Sequence, residues 1–212
     1  MRRTHITMRV TRFLMALALV VAVGAGAMIA QDKGGKGGGK GKGKGGPNLP
    51  PMVKMTIAGF ADGGRIPAAN TCAAGQGVPS PAISWTAGPA GTQSYALIFH
   101  DPDPVIQGSA TNDVLHWAIF DIPGDVTSLQ AGVPNTAELP NGAKQPNNIA
   151  GQPGYFGPCP PAGHGDHHYT FEIYALSAKL GLPASTSRAD LMNAMNGKVL
   201  SKGVYIGMFG QQ

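Results

Sequence analysis

The most diagnostic segment of the chain is GPCPPAGHGDHHYTFEIYAL, which spans residues Gly157–Leu176. Its first part combines proline and glycine, which restrict a loop to few conformations, with histidine, which carries a proton that titrates near neutral pH. Its second part, from Tyr169 onward, has the aromatic and β-branched composition of a strand. A rigid polar loop in front of a strand suits a small-ligand site, although plain tight turns have the same composition.

The rest of the chain repeats this pattern of short strands between turns. The 212 residues include 32 glycines and 18 prolines, which favour many short strands and loops over a helical bundle. The predicted strands are Met52–Ile57, Ala82–Trp85, Ser94–His100, Val114–Phe120, His168–Leu176 and Gly203–Phe209. Two of them, Ser94–His100 and Val114–Phe120, are almost entirely apolar, which predicts burial on both faces. Because strands and helices do not alternate, the sequence predicts a mainly β fold, an antiparallel-dominated β-sandwich with a few short helices.

One helix is predicted, over Arg188–Asn196. Ser187 can cap its first turn with Asp190 as the capping-box partner, and Gly197 supplies a C-terminal stop. The side chains expected to face the core are Leu191, Ala194 and Met195.

The N-terminal residues 1–30 have the composition of a signal peptide. Basic residues between Arg2 and Arg12 precede an apolar run, Phe13–Val23, and Ala25-Gly26-Ala27 provides a small-x-small cleavage site. An uncleaved anchor helix is the alternative, but the apolar run is short for a full membrane span. Both interpretations predict an exported protein, periplasmic or secreted.

Residues 31–49 are predicted to be a disordered linker, because they are mostly glycine and lysine and have almost no apolar side chain to bury. The lysines could contact anionic wall polymer or lipid head groups at a membrane surface, or the segment could be a soluble spacer. The folded domain is then expected to span residues 50–212.

The distribution of charge argues against a nucleic-acid partner. The whole chain has a formal net charge of +5, but nine of its 16 lysines and arginines lie before Gly46. After Gly46, seven basic side chains stand against ten acidic ones, which leaves a net charge of −3. The expected domain therefore lacks the basic excess of a nucleic-acid-binding protein.

The chain has two cysteines, Cys72 and Cys159. In an exported protein, an even number of cysteines favours a disulfide over two separate buried thiols. Such a bond would tie an early loop to the histidine-rich loop and hold that loop rigid.

Several motifs that are distant in sequence follow one another in a recognisable order. They are Thr71-Cys72, Ser80-Pro81-Ala82-Ile83-Ser84-Trp85, Asp101-Pro102-Asp103-Pro104, His116-Trp117, Leu139-Pro140-Asn141-Gly142, Gly154-Tyr155-Phe156-Gly157-Pro158-Cys159-Pro160-Pro161 and His167-His168-Tyr169. In this order they resemble the bacterial Raf-kinase-inhibitor-like branch of the phosphatidylethanolamine-binding protein family. The resemblance extends from about Met55 to Gly210 and implies a β-sandwich with a small anion pocket at one end of the sheets.

The resemblance implies a binding protein rather than an enzyme, and the composition of residues 1–30 predicts that this protein is exported. Its pocket would hold a small anion or a phosphorylated head group without a cofactor or a metal, and a protease or kinase could be an inhibited partner. Carried over by position, the ligand-binding residues would be Asp101, Asp103, His116, Pro160, Pro161, His167 and Tyr169. An aspartate beside His116 or His167 would fix one tautomer and raise the histidine pKa, so that a cationic imidazole faces the ligand.

Two departures from the family pattern affect the expected pocket. Asp103 directly precedes Pro104, where the family usually has one intervening residue, and this predicts a different shape for the loop Val105–Asp113. His168 stands where the family often has arginine, which predicts weaker and pH-dependent anion binding.

The residues also allow alternatives to an anion pocket. His116, taken alone, has the setting of an ordinary core histidine. A metal site could use His164, His167 and His168 together with Cys159, but this spacing fits no standard site. His168 is also expected to point away from His167 on a strand. A set of Asp, His and Tyr could instead hydrolyse phosphate or acyl esters, although the chain contains no Gly-x-Ser-x-Gly nucleophile motif.

Overall fold

The computed structural model describes residues 51–212. The signal peptide expected over residues 1–30 and the linker expected over residues 31–49, with its membrane-surface contact, lie outside this range. Within the range, the structure contains no helix that is both long and apolar enough to cross a membrane.

Eight strands form the framework of residues 51–212. They are β1 (Met55–Ile57), β2 (Gly64–Arg65), β3 (Ile83–Trp85), β4 (Ser94–Asp101), β5 (Val114–Pro123), β6 (Ser128–Leu129), β7 (His167–Leu176) and β8 (Val199–Phe209). All six predicted strands are present, and the two short strands β2 and β6 are additional. Strands β2 and β6 have only two residues each, and they form because they pair with β8 and β3. A local sequence pattern does not show such distant pairing.

The strands are arranged in two sheets. The central sheet has the order β2-β8-β7-β4-β5, and a small sheet has the order β1-β3-β6. Every pair of neighbouring strands is antiparallel except β2 and β8, which are parallel. This arrangement confirms the predicted antiparallel-dominated β-sandwich.

The central sheet has apolar side chains on both faces. On one side, which we call the small-sheet face, Leu97 and Phe99 pack in a cluster with Ile57 and Ile83 of the small sheet. On the opposite side, which we call the helix face, residues such as Ile98 pack in a separate cluster with a helix. Burial of both faces explains why Tyr95–Phe99 of β4 is an uninterrupted apolar run and why the strand is buried along its whole length.

Helix α2 (Arg188–Met195) covers the helix face and begins as predicted. The Ser187 hydroxyl accepts a hydrogen bond from the Asp190 N–H at 3.1 Å and donates one to the Asp190 carboxylate at 2.7 Å. Leu191 and Met195 are buried as expected, whereas Ala194 is only partly buried. The long side chain of Met192 packs against the cluster in its place.

The sequence predicted a few short helices, but it did not locate three of the helical segments that the structure contains. Two are 3-10 turns, over Ala68–Asn70 and Cys72–Ala74. The third is helix α1 (Asp103–Ile106), which begins where the prolines end strand β4. Proline lacks an N–H and has a fixed φ, so it ends a strand and can also occupy the first turn of a helix.

Candidate functional site

Five of the predicted site residues meet at one end of the small-sheet face. Asp101 ends β4 and Asp103 begins α1, while His116 lies on β5 and the other two lie at the start of β7. Asp101 contacts His167, and His116 packs edge-on against Tyr169 with ring centroids 5.2 Å apart. The sequence motifs thus supply side chains to one buried polar cluster, which we call the pocket cluster: Asp101, Asp103, His116, His167 and Tyr169.

The two predicted prolines of the loop have different environments. Pro160 is buried, and its carbonyl accepts a hydrogen bond from Gln211 Nε2 at 2.6 Å. Pro161 is exposed. The contacts of these prolines shape the loop, and no hydrogen bond or ion pair within residues 51–212 joins them to the pocket cluster.

A break in strand register directs His116 toward the pocket cluster. Phe99 of β4 pairs with Trp117, but the next residue, His100, pairs with Leu115, so His116 has no partner opposite it. Such a β-bulge places one extra residue in a strand and re-aims its side chain. His116 therefore packs on Phe99, in the apolar cluster of the small-sheet face.

The hydrogen bonding of His116 assigns its tautomer. Its Nδ1 lies 2.9 Å from the carbonyl oxygen of Phe156, which can only accept, so Nδ1 carries the proton. Burial lowers the pKa of His116 from 6.5 to about 4, which outweighs the opposing effects of the Phe156 carbonyl and of Asp101. The ring is neutral at pH 7, with Nε2 as an acceptor. The expectation that an aspartate makes this imidazole cationic is therefore wrong, because desolvation dominates.

Asp101 and His167 form the centre of the pocket cluster. His167 Nδ1 is 2.7 Å from Asp101 Oδ2, and both side chains are almost fully buried. On the other side of the ring, Gln107 Nε2 donates to His167 Nε2 at 3.2 Å. Asp101 Oδ1 accepts the backbone N–H of Asp103 at 2.9 Å. One aspartate thus orients the imidazole and the following turn together, as the sequence predicted for His167.

Asp103 connects the pocket cluster with the protein surface. Its carboxylate accepts the backbone N–H of His168 and lies 3.1 Å from His168 Nδ1. His167 is buried and His168 is exposed, as the alternation of side chains along a strand predicts. His168 therefore contacts Asp103 from the rim of the pocket cluster and not from its interior.

Tyr169 has the one hydroxyl of the pocket cluster that lacks a hydrogen-bond partner. Its Oη is buried beside the Asp101 carboxylate but makes no aligned hydrogen bond within the described part of the chain. Burial raises the pKa of Tyr169, and the negative charges of Asp101 and Asp103 raise it further, so the hydroxyl keeps its proton. A buried donor without an acceptor is costly, and a bound ligand that accepts this hydrogen bond would remove the cost.

The same side chains include a set that could hold a metal ion. Asp101, Asp103 and His167 each offer a ligand atom, and these atoms lie within 4.8 Å of one another. A metal would have to replace the hydrogen bond between His167 and Asp101, and it would have no thiolate, since Cys159 is bonded to Cys72. The hydrogen bonds of Asp101 with His167 and with the Asp103 N–H account for the close approach of these side chains. That the protein binds no metal stays a prediction.

The predicted disulfide between Cys72 and Cys159 is present in the structure. It joins segments 87 residues apart, and the Cys72 N–H donates to the Pro158 carbonyl at 3.0 Å beside it. Gly157 has no room for a side chain, because a Cβ there would lie 2.6 Å from Val78 and 2.9 Å from the Asn70 carbonyl. The histidine-rich loop is thus held against the segment that contains Cys72.

Two contributors to the pocket cluster were not identified from the sequence. Gln107 lies in the loop whose shape was expected to differ, and Phe156 contributes only its backbone carbonyl. The signal in the sequence that could have identified Gln107 was its position shortly after the Asp103-Pro104 pair. Gln145 has a structural role, since its side-chain oxygen accepts the Trp117 indole N–H at 2.7 Å.

Comparison with known proteins identifies relatives over most of the chain. The family model described as phosphatidylethanolamine-binding protein matches residues 56–210. The UPF0098 protein of Aquifex aeolicus is 44% identical over 151 residues, which are 71% of this chain and 84% of that protein. A Mycobacterium tuberculosis protein named as the lipoprotein LppC is 36% identical over 164 residues, which are 76% of this chain and 74% of that protein. The name of this second relative is consistent with export.

Solved structures show the same architecture. The crystal structure of Escherichia coli YbcL, described as a new member of the mammalian family of these proteins, has a TM-score of 0.68 and 27% identity. The matched region is 76% of this chain and 100% of the YbcL chain. A phosphatidylethanolamine-binding protein homologue from Chlamydia trachomatis has a TM-score of 0.64 and 29% identity, over 76% of this chain and 99% of its own. Both likenesses extend over about the part of the chain that the family model matches.

Proposed function

Because the chain belongs to the phosphatidylethanolamine-binding protein family, as its motifs predicted, we propose that it is an exported binding protein for a small phosphorylated ligand. The ligand would bind at the pocket cluster, and Pro160 and Pro161 would shape the adjoining loop. The observation that carries the proposal is the Tyr169 hydroxyl, a buried donor without an aligned acceptor beside two carboxylates and two histidines. An oxygen-rich ligand would give this hydroxyl the acceptor that it lacks.

The charges of the pocket cluster favour one form of the ligand. Asp101, Asp103 and the neutral His116 are all acceptors, so a fully ionised phosphate would meet repulsion. A phosphate that retains a proton, or a head group with an ammonium such as phosphoethanolamine, would donate to these acceptors. It would also accept from Tyr169. A lower pH favours the phosphate form that retains a proton, so affinity for inorganic phosphate should be higher at pH 6 than at pH 8.

Access to the pocket cluster requires a local movement. Asp101, His116, His167 and Tyr169 each have less than 5% of their surface exposed, and Gln107 is bonded to the outer nitrogen of His167. Gln107 is itself exposed, on the loop after α1. Its Oε1 also lies 3.2 Å from His164 Nδ1, so its side chain can rotate away at the cost of two hydrogen bonds, and we expect the ligand to enter by displacing it.

A binding role is better supported than hydrolysis of phosphate or acyl esters. Both cysteines of the chain are in the disulfide, so neither can be a nucleophile. Tyr169 holds its proton strongly, and no serine belongs to the pocket cluster. The family match also points to binding proteins rather than to enzymes.

The proposal is tested by thermal-shift titration of the purified full-length protein with phosphate, acetate, phosphoethanolamine and zinc at pH 6 and pH 8. A ligand that binds only the folded state raises the melting temperature. We expect phosphate and phosphoethanolamine to stabilise the protein, more strongly at pH 6 for phosphate. Stabilisation by zinc alone, or by none of the four, would contradict the proposal.

A matched pair of tyrosine variants locates the binding. Tyr169→Phe removes only the unpartnered hydroxyl, so we expect the fold to be as stable as before or slightly more stable, with affinity for phosphate reduced by about tenfold. Tyr155 is buried on the same face, but its hydroxyl donates to the Asn70 carbonyl at 2.8 Å. Tyr155→Phe should therefore reduce stability by about 1 kcal/mol and leave the affinity unchanged. Equal affinities for Tyr169→Phe and wild type would contradict the assignment.

Two finer parts of the proposal concern location and partner. The site of action would be the periplasm or the exterior of the cell, where the disulfide is stable, and fractionation of cells that express the full chain would show this. Inhibition of a protease or kinase stays a prediction. It requires that the purified protein slow a partner enzyme, and that this effect respond to phosphate in the pocket.

A further inference from the structure

A cavity lies on the opposite side of the central sheet from the pocket cluster. It has a volume of about 740 Å³, in the range of small-molecule sites. One wall is the start of β5 with the loop before it, another is the segment 147–149, and the third is helix α2. Its apolar walls include Leu115 and Met192, which pack against the apolar cluster of the helix face.

An ion pair lies in the wall of this cavity. Arg188, the first residue of α2, donates to the Asp113 carbonyl and to Asp113 Oδ2, each at 3.3 Å. About 30% of each side chain remains exposed, 26% for Arg188 and 31% for Asp113. These contacts are long for an arginine–carboxylate pair, which is normally closer to 2.8 Å. The guanidinium therefore keeps donors for another acceptor, and Asp113 Oδ1 has no partner within residues 51–212.

A buried histidine stands behind this ion pair. His100 Nδ1 is 2.8 Å from Asp113 Oδ2, and Nε2 is 3.7 Å from Glu172 Oε2. Despite these distances, neither ring nitrogen makes an aligned hydrogen bond. Glu172 is occupied by Lys202 and by the Tyr174 hydroxyl. The polar groups behind the cavity are thus closely packed but incompletely bonded, which leaves Asp113 free to adjust to a ligand.

The charges that face the cavity are one positive and one negative, side by side. A phosphate or other dianion would be attracted by Arg188 and repelled by Asp113. A ligand with a carboxylate and an ammonium on the same carbon would match both charges at once. The amides of Asn112 and Asn147 could donate and accept further hydrogen bonds, and the apolar walls could take an aliphatic side chain.

From this arrangement we infer that the cavity on the helix face is a binding site for a zwitterionic α-amino acid with an apolar side chain. Its carboxylate binds Arg188, its ammonium binds Asp113, and its side chain lies along Leu115 and Met192. The site is separate from the pocket cluster, because adjacent residues of β4, His100 and Asp101, project to opposite faces of the sheet.

Isothermal titration of the full-length protein with L-leucine tests this site. N-acetyl-L-leucine lacks the ammonium and L-leucinamide lacks the carboxylate, so we expect each to bind at least about tenfold more weakly than L-leucine. Arg188→Gln should abolish measurable binding of L-leucine. The matched control is Arg65→Gln, because Arg65 forms an exposed pair with Asp166 at 2.7 Å away from the cavity, and its L-leucine affinity should be unchanged.

A second variant keeps the test valid if Arg188→Gln loses binding only because it does not fold. Ala189 lines the cavity and is exposed on α2, so Ala189→Leu fills space while keeping a good helix former. We expect this variant to retain its melting temperature and to lose L-leucine binding. The inference is overturned if wild type does not bind L-leucine, if L-leucinamide binds equally well, or if Ala189→Leu binds as wild type does. Loss of L-leucine binding in Tyr169→Phe would also overturn it, whereas phosphate results bear only on the pocket cluster.

Discussion

Two neighbouring residues of strand β4, His100 and Asp101, contribute to polar clusters on opposite faces of the central sheet. Asp101 belongs to the pocket cluster, where the distances are short and the side chains are almost fully buried. His100 belongs to the group with Asp113 and Arg188, where contacts are longer or poorly aligned and a cavity lies alongside. The same residue types therefore give a closed cluster with short contacts on one face and an open cluster with longer contacts on the other.

The difference shows what determines the character of a polar site in this fold. On the small-sheet face, a β-bulge and the Phe156 carbonyl fix the position of His116. The disulfide fixes the loop that contains Cys159. On the helix face, the cavity wall is formed by one helix and two loops. Pre-organisation favours a small ligand held by hydrogen bonds, whereas an open cavity with paired charges favours a larger ligand that brings its own charges.

Removal of the disulfide should have the largest effect and should affect only the small-sheet face. A bond that closes a loop of 87 residues is expected to contribute about 4.5 kcal/mol through the entropy of the unfolded chain. Replacing Cys72 and Cys159 by serine should lower the free energy of unfolding by this amount, measured with urea. Phosphate affinity should fall and L-leucine affinity should not. An equal loss of both would contradict the separation of the two sites.

Removal of one carboxylate from each cluster compares the clusters directly. Asp101→Ala leaves the His167 Nδ1–H and the Asp103 N–H buried without an acceptor, which should cost about 4 kcal/mol. Asp113→Ala removes a partly exposed ion pair, so the expected cost is only about 1 kcal/mol. Urea unfolding of the two variants gives both values. Similar costs would mean that the cluster on the helix face is as constrained as the pocket cluster.

Acid sensitivity should arise more from His116 than from His100. The pKa of His116 is lowered to about 4 in the folded state, below its ordinary 6.5, so the unfolded chain binds more protons between these values. Stability is therefore lost as the pH falls from 6.5 to about 4, by about 3 kcal/mol in total. His116→Asn, whose amide can still donate to the Phe156 carbonyl, should remove this loss.

His100→Asn provides the comparison for that measurement. Burial also lowers the pKa of His100, with a further contribution from Arg188, but Glu172 and Asp113 oppose the change. The sign is therefore the same, and the effect on the pH dependence of urea unfolding should be smaller than that of His116→Asn. A larger effect from His100→Asn would show that the helix face, and not the small-sheet face, contributes more to the acid sensitivity of stability.

The fold and most of the pocket cluster could be predicted from the sequence for physical reasons. Apolar runs such as Ser94–His100 report burial directly, and Pro, Gly and Cys mark the loop that shapes the pocket. The bulge at His116 could not be predicted, because it depends on the register of β4 against β5. The Asp113–Arg188 pair joins residues 75 positions apart and has no local signal. The expected charge of His116 was wrong because the desolvation of this buried ring outweighs the opposing effect of Asp101, and a sequence does not contain the distances that decide between the two.

Weakening the helix that forms one wall of the open cavity should have the smallest effect. Ser187→Ala removes the hydroxyl that caps the first turn of α2, and we expect a loss of about 1 kcal/mol in the free energy of unfolding. Because Arg188 follows the cap directly, L-leucine affinity should fall, while phosphate affinity should not change. A change in phosphate affinity would show that the two faces are coupled.

The most direct test of the proposed phosphate pocket is ¹⁵N NMR of the imidazole nitrogens, recorded while inorganic phosphate is titrated into histidine-labelled full-length protein at pH 6. The account predicts that the Nε2 signal of His116 moves toward that of a donor nitrogen as phosphate binds, that the His167 signals also move, and that those of His100 stay in place. Unmoved signals of His116 and His167 at saturating phosphate, or movement confined to His100, would contradict it.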